Sequence, residues 1–142
     1  MPVLQFHLVV SAYPEEAVAG LMQEAAGFYA AALYPEMERP PIERVRVFVN
    51  DVPPHLWATG GVPVSKGGAP APYFTCLSLQ GRPPEKLRQL MAGLSELVSR
   101  HLACAITLVR GQLIEIAPEH WFIAGAPASQ ARAAEITGRT AG

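Results

Sequence analysis

The sequence has little charge and almost no cysteine. Only 16% of its 142 residues are charged, the formal net charge is −1, and no run of basic residues occurs. Proteins that bind nucleic acid or anionic membrane surfaces concentrate positive charge, so we expect neither partner. Cys76 and Cys104 fit no metal-ligand spacing. We interpret them as small core residues in a reducing compartment rather than as a disulfide.

Long apolar runs and cofactor motifs are also missing. No stretch could span a bilayer, and the first residues lack the basic region of a signal peptide. A cytoplasmic location is therefore expected. The sequence contains no phosphate-binding glycine loop, no nucleophilic serine motif and no CxxC. The four histidines form no metal-like or triad-like set, so we expect no cofactor.

What the sequence does contain is a repeated unit. A β-branched and aromatic stretch predicts a strand, a proline followed by glutamates opens an alanine-rich helix, and an alternating stretch predicts a second strand. The same order then returns. The predicted elements are strand 2–10, helix 15–33 and strand 44–52, then strand 73–80, helix 85–102 and strand 107–116.

The two copies also match in sequence near their ends. VPPHLWATGG at 52–61 aligns with IAPEHWFIAG at 116–125, which pairs Trp57 with Trp121 at an offset of 64. A weak tandem β-α-β repeat follows from this match. We predict one domain over residues 1–125, built from repeats 2–61 and 72–125, with a tail at 126–142.

The repeat predicts the fold class. Each β-α-β crossover makes its two strands parallel, and one unit cannot cover both faces of its strands alone. We therefore predict an α+β fold, with a four-stranded mixed sheet and two helices on one face. The chain is half hydrophobic, and we interpret its apolar strand residues as lining the bare sheet face, which favours oligomerisation. These residues are Val45, Val47, Val49 and Leu113.

Short motifs accompany the doubled unit. They are Met1 before Pro2 on a strand, the VRV of 45–47, Asp51 followed by Trp57, Gly60-Gly61 with Ser65-Lys66, and Gly81-Arg82. Together with the doubled frame, these motifs resemble the tautomerase superfamily, which includes 4-oxalocrotonate tautomerase and macrophage migration inhibitory factor. The resemblance covers about residues 2–125. It implies a cofactor-free enzyme with the trimeric tautomerase-like fold, in which two-repeat chains form homotrimers.

The resemblance implies that Pro2 is the catalytic group. In the family the initiator methionine is removed, so the proline nitrogen becomes a secondary amine. Burial beside arginines would lower the pKa of that amine toward the working pH, which suits an acid/base catalyst. The alternative is that Pro2 merely begins an edge strand. Pro72 holds the matching place in the second repeat, where its nitrogen is an amide, so we expect one site per chain.

The resemblance also implies the substrate-binding residues. Arg82 matches the family's carboxylate-binding arginine. Arg46 and Arg110 both match its second arginine, and the sequence leaves open which of the two faces the Pro2 pocket. Trp121, and less well Trp57, matches the aromatic pocket wall. A surface arginine and a tryptophan packed in the core are the ordinary alternatives for these positions.

Other superfamily reactions match less well. The dehalogenases carry a water-activating glutamate where this chain has Ile123 and Thr59, an arginine where it has Leu79, and in one subgroup a helix histidine where it has Phe28. The decarboxylase has an arginine near the place of Pro83-Pro84. These departures disfavour hydrolytic dehalogenation and, more weakly, decarboxylation.

The predicted function is therefore a keto-enol tautomerase or isomerase that acts on a small 2-hydroxy-dienoate or enol-pyruvate carboxylic acid. Two alternatives stay open. One is another superfamily reaction, namely a decarboxylase, hydratase or dehalogenase on a three-carbon acid. The other is a non-catalytic trimeric binding module.

Overall fold

The computed structural model describes residues 2–133. The first unit contains β1 (Val3–Leu8), α1 (Glu15–Leu33), β2 (Arg46–Asp51) and a hairpin of β3 (Ala58–Thr59) and β4 (Val62–Pro63). The second contains β5 (Tyr73–Leu79), α2 (Pro84–Leu102), β6 (Arg110–Ile116), a hairpin of β7 (Phe122–Ile123) and β8 (Ala126–Pro127), and the single turn α3 (Ala128–Ala131). All six predicted elements are present.

The four long strands form one mixed sheet in the order β2-β1-β5-β6. Within each unit the two strands are parallel, as a helical crossover requires. The two units meet where β1 pairs antiparallel with β5. The α+β prediction is confirmed.

The core lies between the sheet and the helices. Alternate strand residues point to this side, including the fully buried Leu4, Phe6, Phe74 and Cys76. Helices α1 and α2 cover them with the fully buried Leu21, Tyr29 and Leu94, among others.

Our interpretation of four apolar strand residues was wrong. Val45, Val47, Val49 and Leu113 are partly buried against this core, so they do not line the bare face. Alternation of side chains defines two faces of a strand, but it does not say which face the helices cover. The large apolar side chains that are exposed on the opposite face are Phe48 and Ile114, at 42% and 36%.

Each unit ends in a hairpin with a two-residue turn. Gly60 and Gly61 have φ of 62° and 81°, and Ala124 and Gly125 have φ of 50° and 86°. Two consecutive positive φ angles are typical of the type I′ turn, whose twist matches that of the strands. The second hairpin and the buried Ala128 extend past residue 125, where we expected the tail to begin. The remainder of that tail, from residue 134, lies outside the described residues.

No helix within residues 2–133 is long and apolar enough to cross a membrane.

The end of α2 gives a stability prediction. Ala103 caps this helix with φ 50° and ψ 43°, and the left-handed conformation costs a residue with a Cβ about 1 kcal/mol. Ala103→Gly should raise the free energy of unfolding by about that amount. The matched control is Ala92→Gly in the middle of α2, which should lower it by about 0.5–1 kcal/mol. Urea unfolding at one protein concentration measures both, and equal effects of the two substitutions would contradict the prediction.

A second prediction concerns the contact between the helices. Hydrogen bonds from Arg100 and then His101 hold the pKa of Glu24 below its ordinary value. A carboxyl with a lowered folded pKa stabilises the fold above its unfolded pKa, and this contribution is lost as the pH falls through the folded value. Glu24→Gln should therefore lower the urea midpoint at neutral pH but not at a pH below the lowered pKa. Glu96→Gln on α2 is the control. A difference in urea midpoint between Glu24→Gln and the unaltered protein that is the same at both pH values would refute the prediction.

Candidate active site

The antiparallel contact between β1 and β5 gives the sheet two distinct ends. Val3 pairs with Leu77, so the beginning of β1 lies beside the end of β5. We call this the Pro2 end, and it also contains the start of β2 and the end of β6. The opposite end, which we call the Pro72 end, contains the starts of β5 and β6 and the ends of β1 and β2.

The two prolines occupy equivalent places at these ends. Both have side chains that are less than 2% exposed. The backbone N–H of Arg46 donates to the Pro2 carbonyl at 3.0 Å, and that of Arg110 donates to the Pro72 carbonyl at 3.1 Å. Within one chain, therefore, Arg46 lies at the Pro2 end and Arg110 lies at the Pro72 end.

The side chains of these two arginines make the same contacts. Arg46 Nη1 donates to the Glu43 carbonyl at 2.8 Å, and Arg110 Nη1 donates to the Thr107 carbonyl at 2.7 Å. Each guanidinium thus folds back on the short turn that precedes its own strand. Both residues are exposed. Because their exposure and local contacts are alike, Arg46 and Arg110 differ only in the end of the sheet at which each lies.

Arg82 follows the end of β5 and reaches the end of α1. Its Nη1 donates to the Leu33 carbonyl at 2.8 Å, and its guanidinium carbon lies 5.6 Å from the centre of the Tyr34 ring. Leu33 is the last residue of α1, where carbonyls lack helical partners and a cation is favourable. Arg82 therefore joins the second unit to the first at the Pro2 end.

Two residues of this cluster were missed by the sequence analysis. Arg44 lies just before β2, with its guanidinium carbon 5.3 Å from the centre of the Tyr34 ring and its Nη1 donating to the Tyr34 hydroxyl at 3.1 Å. Their counterparts in the second repeat are Leu108 for Arg44 and Cys104 for Tyr34. Comparing the repeats for positions that differ would have found them, because Arg82 differs from its counterpart in the same way.

The two ends of the sheet differ in their arginines at three matching positions of the repeats. The Pro2 end has Arg44, Arg46 and Arg82, whereas the matching positions of the other repeat hold Leu108, Arg110 and Ala12. Positive charge beside a buried amine disfavours its protonated form.

A buried polar group lies beneath the Pro2 end. The Tyr29 hydroxyl donates to the Leu77 carbonyl, and burial raises the pKa of Tyr29 well above its ordinary value. Burial also raises the pKa of the Cys76 thiol to about 11. Phe28 instead packs against α2, where a Cβ on Gly93 would lie 2.1 Å from its ring. Of these two neighbouring helix residues, the tyrosine is the one that contacts the sheet.

A cleft of about 360 Å³ opens beside Arg82. Its walls are Arg82, Pro84, Leu87, Arg88, Met91, Leu113 and Glu115. An apolar surface with a few charged groups at the edge is typical of small-molecule sites. Within residues 2–133, no three His, Cys, Asp or Glu side chains are close enough together to hold a metal ion.

The two tryptophans lie at opposite ends of the sheet. Trp121 follows β6 at the Pro2 end, and Trp57 follows β2 at the Pro72 end. Both are half-buried. The Trp57 carbonyl accepts a hydrogen bond from the Val64 N–H at 2.8 Å, and the Trp121 carbonyl accepts one from the Ala128 N–H at 2.7 Å. Each tryptophan backbone therefore fixes the base of the hairpin that follows it.

Comparison with known proteins finds close likeness in structure and little in sequence. No family model and no curated protein matches the chain. A native fused 4-OT matches 90% of this chain and 97% of its own, with a TM-score of 0.76 and 26% identity. A fused 4-OT that is an asymmetric trimer matches 92% of this chain and 98% of its own, with a TM-score of 0.76 and 22% identity.

The same fold also occurs in a relative with a different name. A member of the cis-3-chloroacrylic acid dehalogenase family matches 98% of this chain and 99% of its own, with a TM-score of 0.72 and 12% identity. The fold therefore does not by itself select the reaction. These matches cover nearly the whole chain and show that it has the fold of the fused 4-OT proteins, which supports the resemblance to the tautomerase superfamily.

Proposed function

We propose that the protein is a cofactor-free keto-enol tautomerase in which Pro2, freed by removal of Met1, is the general acid/base. The observation that carries the proposal is the difference between the two ends of the sheet. At three matching positions of the repeats, the end with the proline that could become an amine has three arginines, and the end with the amide proline has one. Arginines placed in this way could bind an anionic substrate.

The residues suggest the following steps. The carboxylate of a 2-hydroxy-dienoate or enol-pyruvate binds the Arg82 guanidinium, whose planar fork matches a carboxylate. The proline nitrogen takes the proton of the enol hydroxyl and returns it to carbon, which completes a 1,3 or 1,5 shift with no net loss of protons. Arg46 stabilises the negative charge that develops on the enolate oxygen. Trp121 would exclude water from this pocket and so strengthen these charge interactions.

We also propose that the chain acts as a homotrimer with three sites, in a cytoplasmic setting. Trimers are known for fused 4-OT proteins of the same fold. The exposed Phe48 and Ile114 on the bare face of the sheet would then be buried between subunits.

Hydrolytic dehalogenation is the weaker candidate, although a relative from a dehalogenase family shares the fold. Such a reaction needs a group that activates water. The position expected for it is Ile123, a half-buried apolar residue of β7. The corresponding Thr59 lies at the Pro72 end, where its hydroxyl donates to the Ala69 carbonyl at 2.7 Å.

Turnover should depend on a free Pro2. Pro2→Ala should lower kcat for the ketonisation of 2-hydroxymuconate and phenylenolpyruvate by about 100-fold or more, because it removes the rigid secondary amine. Protein that retains Met1 should be equally impaired, since its proline nitrogen is an amide. Ultraviolet absorbance follows the reaction, and intact mass identifies the N-terminus. Undiminished turnover by either form would refute the mechanism, and no turnover by protein with a free Pro2 would favour another reaction or a binding module.

Arg46 and Arg110 form a matched pair for testing the second arginine. Each donates to a carbonyl three residues before it, so Gln at either position removes the same local bond. Arg46→Gln should lower kcat/KM by about tenfold or more, because it removes a donor to the developing charge. Arg110→Gln should leave kcat/KM unchanged. The reverse order of effects would assign the role to Arg110 instead.

A further inference from the structure

The end of α1 differs from the end of α2 in a way that helix geometry does not require. At the end of α1, Arg82 donates to the Leu33 carbonyl, and Arg44 and Arg82 both lie over the Tyr34 ring. The end of α2 has neither arginine. There Ala103 takes the left-handed conformation, and the Ser99 hydroxyl donates to the Cys104 carbonyl at 2.7 Å.

This comparison separates a structural role from a functional one. Both helices are 19 residues long and pack on the same sheet in equivalent places. The last turn of α2 has Arg100 and His101, but both bond Glu24. The end of α2 therefore forms without a pair of guanidiniums on an aromatic ring. Such a pair is present at the Pro2 end, which is where the proposed substrate would bind.

The geometry around Tyr34 suits an anion. The ring is 6% exposed, and cation-π attraction is stronger where water is excluded. It holds the guanidinium carbons of Arg44 and Arg82 at 5.3 and 5.6 Å from its centre, and its hydroxyl accepts from Arg44. Both guanidiniums thus lie against the same ring, and the planar set of donors on each matches the geometry of a carboxylate.

We propose that Arg44 is a further carboxylate-binding residue, acting with Arg82, and that Tyr34 is a positioning residue that holds both guanidiniums. This inference rests on the proposed function, because it assigns the carboxylate of the same substrate. Arg44 thereby joins Arg82 on the carboxylate, and Arg46 keeps the enolate oxygen. The ligand class is a small carboxylic acid whose acid group enters between the ends of α1 and β5.

Equilibrium binding tests the proposal without any turnover. The probe is 3-phenylpropanoate, a saturated acid that cannot tautomerise, titrated calorimetrically into the full chain with its N-terminus checked by mass. Arg44→Gln should weaken binding by about tenfold or more, the loss expected for a hydrogen bond to a charged group. Tyr34→Leu should weaken it by about threefold or more, and Tyr34→Phe, which keeps the ring, by less. Arg100→Gln removes an exposed arginine at the other end and should have no effect.

Several outcomes would overturn the proposal. They are wild-type affinity in Arg44→Gln, equal losses in Tyr34→Phe and Tyr34→Leu, and absence of binding to the unaltered protein. If Tyr34→Leu does not fold, binding by Arg44→Gln and Arg44→Lys still tests the proposal. Arg44 is only half-buried, so we expect both of these variants to fold. In kinetics, Arg44→Gln should raise KM more than it lowers kcat. A Pro2→Ala protein that still binds the probe but does not turn over substrate separates the two proposals.

Discussion

The antiparallel contact between β1 and β5 determines where every candidate residue lies. It joins two parallel β-α-β units with opposite strand directions, so the start of one unit lies beside the end of the other. Pro2 from the first unit is thereby brought to the same end as Arg82 from the second. Neither unit alone contains both groups, so the proposed site would need residues of both units.

The two units have kept the same backbone and diverged in charge. Pro2 and Pro72 accept equivalent hydrogen bonds, and Arg46 and Arg110 fold onto equivalent turns. Within residues 2–133, an aromatic ring with two guanidiniums against it is found at the Pro2 end and not at the Pro72 end. The two ends of this nearly symmetric sheet therefore share their topology and differ in the side chains placed there.

Much of the fold and part of the site were predictable from the sequence. The repeat predicted the order of the elements along the chain and the parallel pairing within each unit, because crossovers leave few alternatives. It did not predict which strands of the two units would pair. The direction in which Val47 and Leu113 point was not predictable, since alternation does not reveal which face the helices cover. A comparison of the repeats can identify Tyr34 and Arg44 as positions that differ, but their contact was not predictable, because it joins residues ten positions apart across an irregular segment.

The amide at Pro72 has a consequence for the segment that joins the two units. Tyr13, at the Pro72 end, donates its hydroxyl to the carbonyl of Pro70 in this connector, and burial raises the Tyr13 pKa to about 12. The end that cannot supply an amine is thus occupied by the chain's own linker. In a chain made of two joined units only the first proline can become an N-terminal amine, so one end of the sheet alone is available to the proposed chemistry.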